Sequence, residues 1–309
     1  MILQIKHSGQ LCNRLFSLLP TISYAIHNKK RVYVLFERKE YLDYFPNILH
    51  NPYVKFLLSK DNDGRQSLER LMMCFTKSSK KNLGNKFERA MVRLANNPKY
   101  VVNGDLAEID DKRGICCIDG WEHRNDISYI EEERAAVLDM FMPDESYVAN
   151  VEKEFDSYDG LTVGVHVRRG DYKTYFGGKW YFDDETYWDA IQQIHIQLMN
   201  LGEAKHRFLV CSNEPFAIKD EMVEMFQIKP LSPSDCMTDL YALSRCDYII
   251  GPPSTFSQWS SYYGHVPLRV MRYKGERILL SEFSSFVLLD RNEKGFDDYL
   301  YETFHKPTR

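Results

Sequence analysis

The second half of the sequence alternates short strand-like runs with amphipathic helical stretches, and few folds accept that order. LTVGVHV (161–167), HRFLVCS (206–212), DYIIG (247–251) and VPLRVM (266–271) are apolar runs of strand length. Helical patterns lie between them. Residues 183–202 set Tyr187, Ile191, Ile194 and Leu198 on one stripe and close on Gly202. Residues 234–246 begin with Ser234 or Asp235 as a cap and turn Leu240 and Leu243 inward, and residues 254–264 make a short helix. Continuous apolar strands alternating with helices predict a parallel sheet covered on both faces, with ligands at the carboxyl ends of its strands.

The N-terminal half opens the same way. MILQIK (1–6) and RVYVLF (31–36) read as strands. The stretch between them is a helix with Leu11, Leu15, Leu18, Ile22, Ala25 and Ile26 on one face, and Pro20 predicts a kink in it. Residues 60–100 are a polar, helix-prone excursion, 116–123 a strand running into a turn at Gly120, and 144–160 a linker helix. At roughly 100–200 residues per domain, the 309 residues predict two α/β domains, 1–155 and 156–309.

Composition narrows the partners. With 40 Lys+Arg against 44 Asp+Glu, the net charge is −4, so no global basic field favours nucleic acid. The basic run Lys77–Lys86 reads as a solvated loop, with a peripheral approach to anionic lipid as the alternative. Seven cysteines with no CxxC pair argue against a zinc site or a disulfide framework and for a reducing compartment. Met1 leads directly into a strand, and no run of about 18 apolar residues occurs. A cytoplasmic protein is expected.

Two segments at predicted strand ends carry the chemistry. In HVRRGDY (166–172) two permanent cations follow a buried strand. Arg168 and Arg169 alternate in direction if extended geometry persists. One then braces the fold, for instance on Asp171, and the other faces the crevice, where a planar guanidinium suits a phosphate. In IIGPPSTFSQW (249–259) a strand ends at Gly251, and Ser254 or Thr255 caps a helix whose free N–H groups suit an anion. Each segment alone is also explained by structure, as an Arg–Asp brace or an ordinary helix cap. Together they point to a diphosphate-containing ligand such as a nucleotide sugar. GxGxxG and GxxxxGK[ST] are both absent, which disfavours dinucleotide oxidoreductases and P-loop NTPases.

HVRRGDY resembles the HxRRxD signature of α-1,2-fucosyltransferases and, more distantly, of the related α-1,6- and protein O-fucosyltransferases. HSGQLCNRLFSLLPTISYAI (7–26), DGWEHRNDISYI (119–130) and TDLYALSRCDYIIGPPSTFSQWSSYYG (238–264) resemble further segments of that family in the same order. The resemblance implies a GT-B-like fold of two Rossmann-like domains with a cleft between them, the donor site lying mostly in the C-terminal one. It implies inverting transfer of fucose from GDP-fucose to a glycan hydroxyl, galactose O2 in the α-1,2 case, with no metal or other cofactor. A bacterial polysaccharide pathway fits. Carried over, Arg169 holds the β-phosphate, Arg168 braces or shares it, and His166 supports the loop. Ser254, Thr255 and Ser257 line the diphosphate, and Asp239 contacts the nucleotide. Asn13, Arg14, Trp121 and Glu122 lie on the cleft or acceptor side. Asp171 and His123 are candidate bases. Two alternatives stay open: a transferase using another GDP-sugar or making another linkage, and a non-catalytic carbohydrate-binding protein.

Overall fold

The computed structural model describes residues 2–5, 9–36, 38–58, 106, 109, 116–120, 128–217, 220–230 and 235–285. These fall into two compact units that divide between Asp144 and Glu145.

The first unit carries a parallel sheet in the order β3-β2-β1-β4, with β1 at Ile2–Ile5, β2 at Val32–Phe36, β3 at Val54–Leu58 and β4 at Cys116–Asp119. Strand β3 goes beyond the expectation from sequence, yet it pairs with β2 from Val32↔Val54 to Phe36↔Leu58. Helix α1 (Leu11–His27) runs as one helix through Pro20. The expected apolar stripe is buried except for the half-buried Ile26, but so are Phe16, Ser17, Thr21, Ser23 and Tyr24 on its other sides. Its two buried serine hydroxyls are satisfied locally, Ser17 Oγ donating to Asn13 O at 2.9 Å and Ser23 Oγ to Leu19 O at 2.9 Å, whereas Thr21 Oγ1 has no partner among the described residues. Gln4 of β1 ties sheet to helix through Nε2, which donates to Ser17 O at 2.7 Å. Short helices α2 (Lys39–Leu42) and α3 (Arg134–Met140) complete the described elements used here.

The second unit is a six-stranded sheet in the order β10-β9-β8-β5-β6-β7. Its strands are β5 (Leu161–Val167), β6 (His206–Ser212), β7 (Ile228–Pro230), β8 (Tyr248–Gly251), β9 (Pro267–Val270) and β10 (Ser284–Ser285). All neighbours are parallel except β9 and β10. The helices are α4 (Glu145–Asp156), α5 (Asp184–Asn200), α6 (Asp220–Phe226), α7 (Cys236–Arg245) and α8 (Thr255–Gly264). From β5 the chain winds outward through β6 to β7, then returns to the other side of β5 for β8 and β9. The reversal falls between the carboxyl ends of β5 and β8, where such sheets bind ligands.

Alternation along each strand sorts the core into two layers. Val163, Val165 and Val167 of β5 pack with Ile191, Ile194 and Leu198 of α5, while Leu209, Cys211, Ile249 and Leu268 pack with Tyr241 and Leu243 of α7. Each such side chain removed from water contributes about 1.5–3 kcal/mol. The predicted linker helix is a packed element of this unit. Val151 of α4 is fully buried in the α7 layer, and Glu154 pairs with the buried Arg207 at 2.6 Å.

Candidate functional site

Strands β5 and β8 are neighbours in register, Val165 opposite Ile250, so the two segments singled out in the sequence leave the sheet side by side. A Cβ on Gly251 would stand 2.7 Å from His166 O, closer than side chains tolerate, so this crossing requires glycine. The period of two through β5 continues past its end. Arg169 follows Val163, Val165 and Val167 to the α5 side, and Arg168 follows His166 to the α8 side.

Arg169 is a brace. Its guanidinium bonds Asp184 in the first turn of α5, donates Nη1 to Pro215 O at 2.9 Å and lies 5.8 Å from the Phe216 ring centroid. Its backbone N–H donates to Asn213 Oδ1 at 2.8 Å. The side chain is 9% exposed. Gly170 then takes φ 58°, a left-handed turn that glycine makes without strain. Arg169 is thus the inward arginine, bracing on Asp184 rather than Asp171, and Arg168 is the outward one. Strand alternation is the reason.

Arg168 is the outward guanidinium, with 21% of its side chain exposed. Its Nη2 donates to Asp171 Oδ1 at 2.7 Å, but that carboxylate is 59% exposed, so water and salt screen the pair. The guanidinium also sits 5.5 Å from the Tyr172 ring centroid. Tyr172 hydroxyl donates to Pro253 O, which ties the loop after β5 to the turn after β8. Burial pushes the Tyr172 hydroxyl up to about 12, against the opposing Arg168 charge. Helix α8 starts there, its N-cap Ser254 accepting from Phe256 N–H at 3.2 Å. His166 stacks on Phe256 with centroids 5.0 Å apart. Burial first, and the Arg168 charge second, hold the imidazole down to about 3, so it is neutral at pH 7, and its buried Nδ1 makes no hydrogen bond.

The other expected residues divide. Ser254 and Thr255 are half-buried at the start of α8, open enough to meet an anion. Ser257 is fully buried and turns its hydroxyl back to Ser254 O at 3.1 Å, so it does not line an open surface. Asp239 is buried on α7, whose N-cap Asp235 accepts from Met237 and Thr238 N–H at 2.9 and 3.0 Å. In the first unit Asn13 is half-buried beside Gly9, while Arg14 is buried between Phe36 and Tyr41 and donates Nε to Gly9 O at 2.9 Å. Trp121, Glu122 and His123 lie outside the described residues.

Several residues escaped sequence reasoning. Tyr172 and Asn213 hold the arginine segment, and Tyr187 hydroxyl accepts the Arg168 backbone N–H at 3.3 Å. Their partners are distant in sequence, so no local pattern exposes them. Arg272, just past β9, has a buried Nε with no partner among the described residues.

Neither a protein-family model nor a curated protein sequence matches the chain. Solved structures do. A point mutant of Arabidopsis thaliana FUT1 in complex with GDP aligns over 92% of this chain and 73% of that one, at 15% identity and a TM-score of 0.51. The α-1,6-fucosyltransferase NodZ co-crystallised with GDP aligns over 89% and 96%, at 14% identity and a TM-score of 0.50. The chain has the fold of these fucosyltransferases. The expected α/β class, with parallel sheets of the GT-B-like kind, is therefore observed. Among the described residues no helix is long and apolar enough to cross a membrane, and no cluster of His, Cys, Asp or Glu has the arrangement of a metal site.

Proposed function

We propose that the chain is an inverting glycosyltransferase that moves fucose from GDP-fucose to a glycan hydroxyl, galactose O2 being the specific acceptor position, without a metal ion. One observation carries the reading. Arg168 and the start of α8 lie together at the switch point of the sheet, joined through Tyr172 and Pro253, and a guanidinium and a helix N-terminus both suit an anion. The ordered resemblance of four segments and the shared fold support the donor. The C-terminal unit then holds GDP-fucose and the N-terminal unit serves the acceptor.

In this mechanism the acceptor hydroxyl attacks the anomeric carbon as its bond to the β-phosphate oxygen breaks. Negative charge grows on the departing GDP, where Arg168 and the α8 N–H groups stabilise it. The acceptor proton passes to a base, for which Asp171 is the described candidate: it is exposed, and its Oδ1 is held by Arg168. Arg169 and Asp184 fix the direction in which Arg168 leaves the strand. The test is turnover of GDP-fucose by the purified protein over a set of galactose-ended oligosaccharides, with and without chelator. A fucosylated product formed equally in both supports the reading. Turnover of a different nucleotide sugar, or GDP-fucose turnover only with added metal, rejects it.

A further inference from the structure

We propose that Arg272 is a second anion-binding side chain at this site, meeting the ligand phosphates from β9 as Arg168 meets them from β5. The inference rests on the reading above, that a nucleoside diphosphate occupies the β5–β8 edge.

Strand order places the two arginines at one carboxyl edge. Val165 of β5 pairs with Ile250 of β8, and Gly251 of β8 pairs with Val270 of β9, a pair closed by Met271 N–H donating to Gly251 O at 2.8 Å. Arg168 follows the last residue of β5 and Arg272 stands just past the end of β9, with β8 and its turn into α8 between them. Alternation places them on the same face. Met271 packs in the α5 layer, whereas Leu268 and Val270 pack toward α7 and α8. Arg272 has the parity of Leu268 and Val270, as Arg168 has that of His166.

Charge singles Arg272 out. The other buried or half-buried arginines of this unit all have carboxylates: Arg168 has Asp171, Arg169 has Asp184, Arg207 has Glu154, and Arg269 has Glu276 and Glu282. Arg272 is half-buried, its guanidinium has no hydrogen bond or ion pair among the described residues, and its Nε is shut off from solvent. The carboxylate that holds the Arg272 backbone is committed elsewhere. Glu276 accepts from Arg269 Nη2 at 3.0 Å with one oxygen and from the Arg272 backbone N–H with the other. Glu276 thus pins the chain at Arg272 and leaves the guanidinium unmatched among the described residues. Withdrawing a cation from water without a partner is costly unless an anion completes it. Nearby, Arg168 shares its charge with Asp171 and His166 is neutral, so a diphosphate needs a further positive group on this face. Arg272 supplies it.

The test is calorimetric titration of GDP, and in parallel of inorganic pyrophosphate, into wild type, Arg272→Met, Arg272→Lys and the exposed-control variant Arg277→Met. Arg272→Met is expected to weaken GDP binding at least tenfold with its melting temperature unchanged or raised, because the guanidinium has no partner among the described residues to lose and its removal relieves a withdrawn charge. Arg272→Lys should fall between, and Arg277→Met should match wild type. If wild type binds GDP and Arg272→Met binds it equally, the role of Arg272 is overturned while the functional reading stands. If wild type binds pyrophosphate but not GDP, the functional reading fails, and Arg272 is upheld only if Arg272→Met loses pyrophosphate. If wild type binds neither, both fall.

Discussion

Arg168 and Arg169, adjacent in sequence, send their guanidinium groups to opposite faces of the second sheet, one toward Tyr172 and α8, the other into Asp184 and Phe216. Their substitutions must therefore fail differently. Arg168→Met is expected to cut kcat by about 10²–10³, the usual cost of losing one group that stabilises developing negative charge, with an unchanged melting temperature. Arg169→Met strands the Asp184 carboxylate and is expected to cost about 3 kcal/mol of stability, read by urea unfolding. Should Arg169→Met unfold like wild type, its role as a brace is wrong.

Acid stability tests the burial of His166. Its imidazole titrates near 3 in the folded chain and near 6.5 when unfolded. Between those values the unfolded chain binds the extra proton. His166 therefore costs nothing above pH 6.5 and lowers stability as pH falls toward 3, by about 1 kcal/mol per unit. In His166→Gln the drop in unfolding free energy from pH 7 to pH 5 should shrink by roughly 1–2 kcal/mol. Equal drops in both proteins would mean that the ring is accessible to protons in the native state.

Gly251→Ala probes the contact between the two strand ends. The new methyl would sit 2.7 Å from His166 O and 3.0 Å from His166 Cβ, and backbone cannot give way as a flexible side chain does. Overpacking of this kind costs about 1–3 kcal/mol. Gly251 is not among the glycines at positive φ, so the cost reports this crowding and not a left-handed backbone. A denaturation midpoint for Gly251→Ala equal to wild type would contradict the close approach.

Tyr172→Phe removes the hydroxyl that bonds Pro253 O. A single such bond contributes about 1 kcal/mol. Because it joins the Arg168 loop to the α8 turn, the KM for donor should rise several-fold with little change in acceptor KM. An effect on acceptor KM alone would move the loop to a different role.

Much of this arrangement was legible in the sequence, and the misses have physical causes. The strands 206–212 and 161–167 were readable because central parallel strands are apolar on both faces. Alternation predicted that one arginine would turn inward, but not which one, since that depends on which face Val167 shares with α5. The linker reading of 144–160 missed Val148, Val151 and Phe155, which pack toward the α7 layer. The resemblance implied Ser257 on the diphosphate, whereas its hydroxyl turns back onto Ser254 O in the preceding turn. Arg272 lies in MRYKGE, where an acid follows two cations and suggests ordinary pairing, and its lack of a partner among the described residues exists only in three dimensions.

The most direct measurement is calorimetric titration of GDP in excess EDTA, comparing wild type with Arg168→Met. The account predicts one site of micromolar affinity in wild type, weakened more than tenfold in the variant at equal thermal stability. Absence of binding heat in wild type, or binding that appears only when a divalent cation is restored, would contradict it.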